Sequence, residues 1–201
     1  MDNNAMFKIS YGLYVLTTKD NEKQNGCIIN TVMQVTDNPK KICVAINKSN
    51  YTHDMLLENK CFNVSIISEK ANFDLFKHFG FQSGREVDKF KDYPYAKQAM
   101  NDVYYITEGV NAYISAYVNE TVDLGTHTLF IANVVNAVTL NDDPSATYDF
   151  YHKNIKNVPT TDKKTGWVCK ICGYVYEGEE LPEDYICPLC KHGAQDFEKI
   201  G

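Results

Sequence analysis

Two cysteine pairs constrain this chain more than any other feature. Cys169-x-x-Cys172 and Cys187-x-x-Cys190 both fall within residues 167–201. Four thiolates at that spacing can enclose one ion tetrahedrally, each pair on a tight loop that aims two sulfurs and several backbone N–H groups inward. Gly173 follows the second cysteine, where such a loop calls for positive φ, and Pro188 stiffens the loop after the third. A four-thiolate set suits zinc or iron alike. Trp167, Tyr174, Tyr176, Tyr185 and Phe197 crowd the same segment. An aromatic miniature core excludes water and helps to set a reduction potential, which favours iron, although a structural zinc ribbon can carry such a core too.

The other three cysteines, Cys27, Cys43 and Cys61, stand singly among apolar strand residues and read as buried small hydrophobes. Paired cysteines in a chain without an apolar signal segment at Met1–Met6 point to metal rather than disulfides, and to the cytoplasm as the expected compartment. No apolar run approaches the ~20 residues that span a bilayer. The net charge of −6 comes with no basic stretch, which argues against nucleic acid. Residues 167–201 carry seven Asp/Glu against three Lys, a balance of −4. A small acidic module can be steered toward a basic face on a protein partner, and the same charge also serves plain solubility.

The first 140 residues read mostly as strands: Tyr11–Thr18, Gly26–Val35, Ile42–Asn47, Cys61–Ile67, Tyr104–Thr107, Ala112–Val122 and Thr128–Leu140. Polar turns bound these runs, and Asn38-Pro39 breaks one of them, so an antiparallel barrel or sandwich is expected. Thr52–Asn59, with a cap at Asn50 or Thr52, and Asn72–Phe79 read as short helices. In the second helix Phe73, Phe76 and Phe79 recur every three residues, a core-packing pattern. His53, His78, His127 and His152 are too dispersed to argue for a second metal. Residues 154–166 read as a linker between a domain at 1–153 and another at 167–201.

The C-terminal segment resembles rubredoxin. The matching pieces are Cys169-x-x-Cys172-Gly173-Tyr174, Cys187-Pro188-x-Cys190 and Ala194-x-Asp196-Phe197-Glu198. The 14 residues between the pairs make it similar to the short module fused in rubrerythrins. This resemblance implies one iron on Cys169, Cys172, Cys187 and Cys190.

From Phe7 to about Tyr151 the chain resembles the flavin reductase-like, FMN-binding split-barrel family. Five pieces in order carry this: Tyr11-Gly12-Leu13-Tyr14-Val15; Asn30-Thr31-x-x-Gln34-Val35-Thr36; Asn47-Lys48-x-Asn50-Tyr51-Thr52; Phe79-Gly80-x-x-Ser83-Gly84-Arg85-x-x-x-Lys89-Phe90; and Asp123-Leu124-Gly125-x-His127-Thr128-Leu129-Phe130. The resemblance implies a mainly β fold with short helices. It also implies an FMN site drawn from Asn30, Thr31, Gln34, Val35, Asn47, Lys48, Asn50, Tyr51, Thr52, Phe79, Gly80, Ser83, Arg85 and Lys89. Residues 30–35 would face the flat ring with amides and apolar contact. Thr31, Lys48, Thr52 and Arg85 are the right types for the phosphate, beside a helix N-terminus that favours anions. Arg85 and Lys89 could instead face a second subunit or a nicotinamide cofactor's phosphates, and a homodimer is implied.

The whole chain resembles the high-molecular-weight rubredoxins, which fuse a flavoredoxin-like domain to rubredoxin. The expected function is electron transfer between FMN and a one-iron site. By resemblance the donor is an NAD(P)H-dependent rubredoxin reductase and the acceptor a flavodiiron-type oxygen or nitric oxide reductase. The alternatives are an enzyme that oxidises NAD(P)H directly at FMN and passes electrons to its own iron, to free flavin or to ferric iron, and a flavin-free barrel with a zinc ribbon.

Overall fold

The computed structural model describes residues 5, 8–21, 23–156, 166–170, 174–187 and 193–200. The chain divides into two compact units, Met1–Tyr151 and His152–Gly201.

The first unit is built on one seven-stranded antiparallel sheet. Its strands are β1 (Tyr14–Lys19), β2 (Gln24–Ile29), β3 (Val32–Asp37), β4 (Lys40–Asn47), β5 (Cys61–Ile67), β8 (Val110–Asp123) and β9 (His127–Thr139), in the order β2-β1-β5-β8-β9-β4-β3. β6 (Ala96–Gln98) and β7 (Tyr104–Ile106) form a separate two-stranded ribbon. The edge strands β2 and β3 are consecutive in the chain, joined only by Asn30 and Thr31. Two residues bridge roughly 11 Å at most, so the sheet has to curl until its two edges nearly meet. Among the described residues no ladder joins β2 to β3, which leaves an open seam there.

This seam corrects the expectation of one strand over Gly26–Val35. Strand-forming residues resume directly after Asn30 and Thr31, but the chain changes edges there. The Thr31 hydroxyl donates to the Ala45 carbonyl at 2.7 Å and accepts from the Ala45 N–H at 3.2 Å, which ties the start of β3 to β4. The β3–β4 turn contains a cis Asn38-Pro39 peptide.

Alternation puts Leu16, Ile29, Ile42, Val44, Ile46, Phe62, Val64, Phe130 and Ala132 inside the curl. Phe62 and Phe130 are fully buried, each contributing about 1.5–3 kcal/mol of transfer free energy. Helix α1 (Tyr51–Asn59) adds Leu56 to this core. Asn50 caps it by accepting from the Thr52 N–H, and Lys60 ends it in a left-handed conformation at φ 62° with its N–H on the Leu56 carbonyl. Helix α2 (Phe73–Gly80) is capped by Asn72, whose side chain accepts from the Leu75 N–H. Phe76 and Phe79 are buried as the three-residue spacing predicts, while Phe73 is half-buried against Phe81 and Tyr151. The three scattered cysteines, Cys27, Cys43 and Cys61, are buried, also as predicted. Helix α3 (Tyr148–Phe150) runs into a wider turn at Tyr151–Ile155, and Tyr151 packs on Phe76 at 4.5 Å.

The second unit has a three-stranded sheet of β10 (Gly166–Cys169), β11 (Val175–Tyr176) and β12 (Phe197–Ile200), with β10 central. Gly166 has φ +134°, and a Cβ there would stand 2.4 Å from the Tyr176 carbonyl oxygen, so only glycine lets β10 start beside β11. Most of the expected linker, residues 157–165, lies outside the described residues. Among the described residues no helix is long and apolar enough to cross a membrane.

Candidate functional site

In the second unit, β10 ends on Cys169, while Cys187 follows the short bridge between Ile186 and Gly193. Both cysteines are fully buried. The Cys169 N–H donates to the Tyr174 carbonyl at 2.8 Å, and the Lys170 N–H to the Asp196 carbonyl at 2.7 Å, so β10 turns tightly after its last residue. Tyr185 packs on Tyr176 at 4.6 Å and on Phe197 at 5.4 Å, and its hydroxyl meets that of Tyr174 at 3.3 Å. Two buried thiols at loop starts, with an aromatic wall, fit a thiolate-bound metal. Cys172 and Cys190, with Gly173 and Pro188, lie outside the described residues.

In the first unit the predicted flavin residues gather at two neighbouring places. One is the entrance to α1. There the Asn47 side chain accepts from both the N–H and the hydroxyl of Ser49, shaping the turn out of β4. Asn50 caps the helix, and Thr52 is buried with its hydroxyl accepting from Asn25 Nδ2 at 3.0 Å. Lys48 Nζ reaches Asp123 at 2.7 Å, beside the Gly125 N–H that donates to the same carboxylate oxygen. Lys48 and then this N–H hold Asp123 below the usual carboxylate range. The Tyr51 ring is in contact with two cations, Lys23 at 4.9 Å and Arg85 at 4.8 Å from its centroid. Arg85 also pairs with Asp54 in the first turn of α1. His53, and after it Arg85, holds the Asp54 carboxyl below its usual range. A positive helix end, hydroxyls and exposed cations together can seat a phosphate.

The other place is the seam. Among the described residues the half-buried Asn30 side chain makes no hydrogen bond, while the hydroxyl of Thr31 is spent on Ala45. Gln34 and Val35 are exposed on β3, Gln34 donating to the Thr36 carbonyl. Gly80, exposed at the end of α2, lies over Ile28 of β2, and Ser83 accepts from the Arg85 N–H.

Two predicted positions do not reach either place. Phe79 is 1% exposed and packs inward on Phe90 and Tyr93. Lys89 is 3% exposed, and its Nζ donates to the Gly26 carbonyl at 2.8 Å and the Phe79 carbonyl at 3.0 Å. The reason is local: Lys89 folds under the end of α2, whose free carbonyls attract a cation. The sequence reading missed Lys23, Asn25 and Asp54, which support the α1 entrance. Both Lys23 and Asn25 fall in the polar stretch before Gly26, so neither position signals a partner distant in the chain. Two of the four histidines have structural hydrogen bonds: His53 Nε2 meets Thr128 Oγ1 at 2.8 Å, and His78 Nε2 meets the Lys89 carbonyl at 2.6 Å.

Sequence-family models match both halves. The flavin reductase like domain matches residues 6–159, and the rubrerythrin, rubredoxin-like domain matches 167–198. The chain belongs to the flavin reductase-like family and carries a rubredoxin-like domain at its C-terminal end. High molecular weight rubredoxin of Moorella thermoacetica is 36% identical to it, with 100% of both chains covered, so the resemblance read along the whole sequence holds. Ferric-chelate reductase (NAD(P)H) of Archaeoglobus fulgidus is 40% identical over 152 residues, 76% of this chain and 89% of that protein. The solved FMN-binding protein from Thermus thermophilus with bound 1-cyclohex-2-enone is similar with a TM-score of 0.60 at 26% identity, covering 66% of this chain and 72% of that one.

Proposed function

We propose that this chain is an electron-transfer flavoprotein working between FMN in the first unit and one iron on Cys169, Cys172, Cys187 and Cys190 in the second. The observation that carries the reading is the fusion itself: a flavin reductase-like domain and a rubredoxin-like domain share one chain, with two of the four cysteines buried against aromatic rings. A flavin exchanges one or two electrons and a one-iron site on four thiolates exchanges one, so the pair converts between the two kinds of traffic. Tethering gives the two centres a high effective concentration. The residues that would hold the flavin are those at the α1 entrance and the seam. Asn50, Thr52, Lys48 and Arg85 serve the phosphate, and Asn30, Gln34, Val35 and Gly80 serve the ring. Phe79 and Lys89 support the site from beneath.

The donor in this reading is an NAD(P)H-dependent rubredoxin reductase, and the acceptor a flavodiiron-type oxygen or nitric oxide reductase, in the cytoplasm. A homodimer is supported by the outward face of β3, β4 and β9. Met33, Cys43 and Ile131 are cross-strand neighbours there, Met33 and Val35 are exposed, and Val135 extends the apolar strip.

The relative named ferric-chelate reductase (NAD(P)H) favours a second reading, in which NAD(P)H reacts directly at FMN. Mixing the oxygen-free protein with NADH or NADPH separates the two. Flavin absorbance that persists until a reductase is added supports the carrier. Immediate bleaching by NADH or NADPH alone supports the enzyme.

A further inference from the structure

Lys89 is a charged side chain inside the first unit, at 3% exposure. Among the described residues no carboxylate pairs with it; its Nζ donates to two main-chain carbonyls, Gly26 on β2 and Phe79 in the last turn of α2. The backbone carbonyl of Lys89 in turn meets His78 Nε2 on α2. One residue therefore ties three pieces together: β2, the end of α2 and the loop after it. That loop carries Ser83 and Arg85, and Gly80 stands at its root. Its near end is held too. Lys23 Nζ donates to the Gly84 carbonyl at 2.7 Å, and Gly84 lies so close to Asn25 that a Cβ would fall 2.3 Å from Asn25 Oδ1. Asn25 then donates to Thr52 at the α1 entrance. Released from Lys89, the loop would keep its near tether but lose its fixed angle to β2.

A buried ammonium is costly unless its donors are satisfied, and the negative end of α2 supplies part of the compensation. Around this ammonium stand Cys27 on β2, His78 on α2, which meets the Lys89 carbonyl, and Tyr93, stacked on His78, with exposed Asp88 beside it; the charges at the loop's near end are Arg85, its partner Asp54, and Lys23. Burial lowers the Lys89 pKa to about 8, partly opposed by Cys27. Burial also pushes the Cys27 thiol up.

We propose that Lys89 is a positioning residue of the flavin site, whose internal ammonium sets the angle of the Gly80–Arg85 segment against β2, so that flavin binds tightly only while that nitrogen is protonated. The proposal rests on the reading of this unit as the flavin site. It adds a charge-dependent support that touches neither flavin nor partner.

The test is the FMN affinity of the full chain, read by quenching of FMN fluorescence between about pH 6.5 and about pH 9.5, for the unmodified protein, Lys89→Gln and Cys27→Ser. Lys89→Gln can still donate to a carbonyl but carries no charge. The unmodified protein is expected to hold steady affinity to about pH 8 and then to weaken toward ~10-fold per pH unit, as one-proton linkage requires. Lys89→Gln should bind more weakly at neutral pH with no bend, and Cys27→Ser should keep the bend. A flat profile in the unmodified protein overturns the proposal. So does a bend that survives in Lys89→Gln or disappears in Cys27→Ser. Should Lys89→Gln fail to fold, the profiles of the other two proteins decide. Absence of FMN binding at every pH overturns the flavin reading itself along with the proposal.

Discussion

Arg85 and Asp54 join a loop to a helix through an ion pair that is about half exposed on both sides. Pairs of that exposure contribute only about 0.2–1 kcal/mol, so Arg85→Ala should lower the urea midpoint little. The same change removes a cation from beside Tyr51, and the account expects a loss of FMN affinity larger than the loss of stability. Equal losses by fluorescence titration and urea melts would place Arg85 among purely structural residues. Asp54 also makes an acid prediction. Its carboxyl is held low by His53 and Arg85, so it contributes stability above its ordinary value that disappears as pH falls through the folded value. Asp54→Asn should therefore flatten the decline in urea midpoint below about pH 4 relative to the unmodified protein. An unchanged decline would contradict the assignment.

At the scale of elements, the α1 entrance depends on a cap and the seam on a hydroxyl. Asn50→Ala should cost ~1 kcal/mol through lost capping. Thr31→Val should cost about 1 kcal/mol, because the half-buried Ala45 backbone loses a partner on both its N–H and its carbonyl. Chemical denaturation of each variant measures both. The sequence narrows the cap to Asn50 or Thr52, the structure uses Asn50, and α1 forms within a residue of its expected bounds. Long strands with β-branched runs, such as Cys61–Ile67, are legible for the same reason, since alternation and composition agree. The seam is not legible. Asn30 and Thr31 interrupt the apolar residues without a Gly or Pro to mark a strand end, and only the distant pairing with Ala45 decides the matter. Ala96–Gln98 is missed because Ala, Lys and Gln have little strand preference and owe their pairing to β7. Lys89 shows the same limit at the site. Its type suits a phosphate, but its place under the end of α2 depends on a helix terminus that residue type does not reveal.

For the whole molecule, two units on one chain imply two separable centres. Cys169→Ser should remove the metal while leaving FMN bound in the first unit. Loss of both by metal analysis and flavin release would show that the halves fold as one. The most direct measurement is the visible absorption spectrum of the purified protein, taken with metal analysis after reconstitution with ferrous iron. The account predicts iron–thiolate bands superposed on flavin bands, at about one iron and one FMN per chain. A colourless protein that holds zinc, refuses iron and carries no flavin would contradict it.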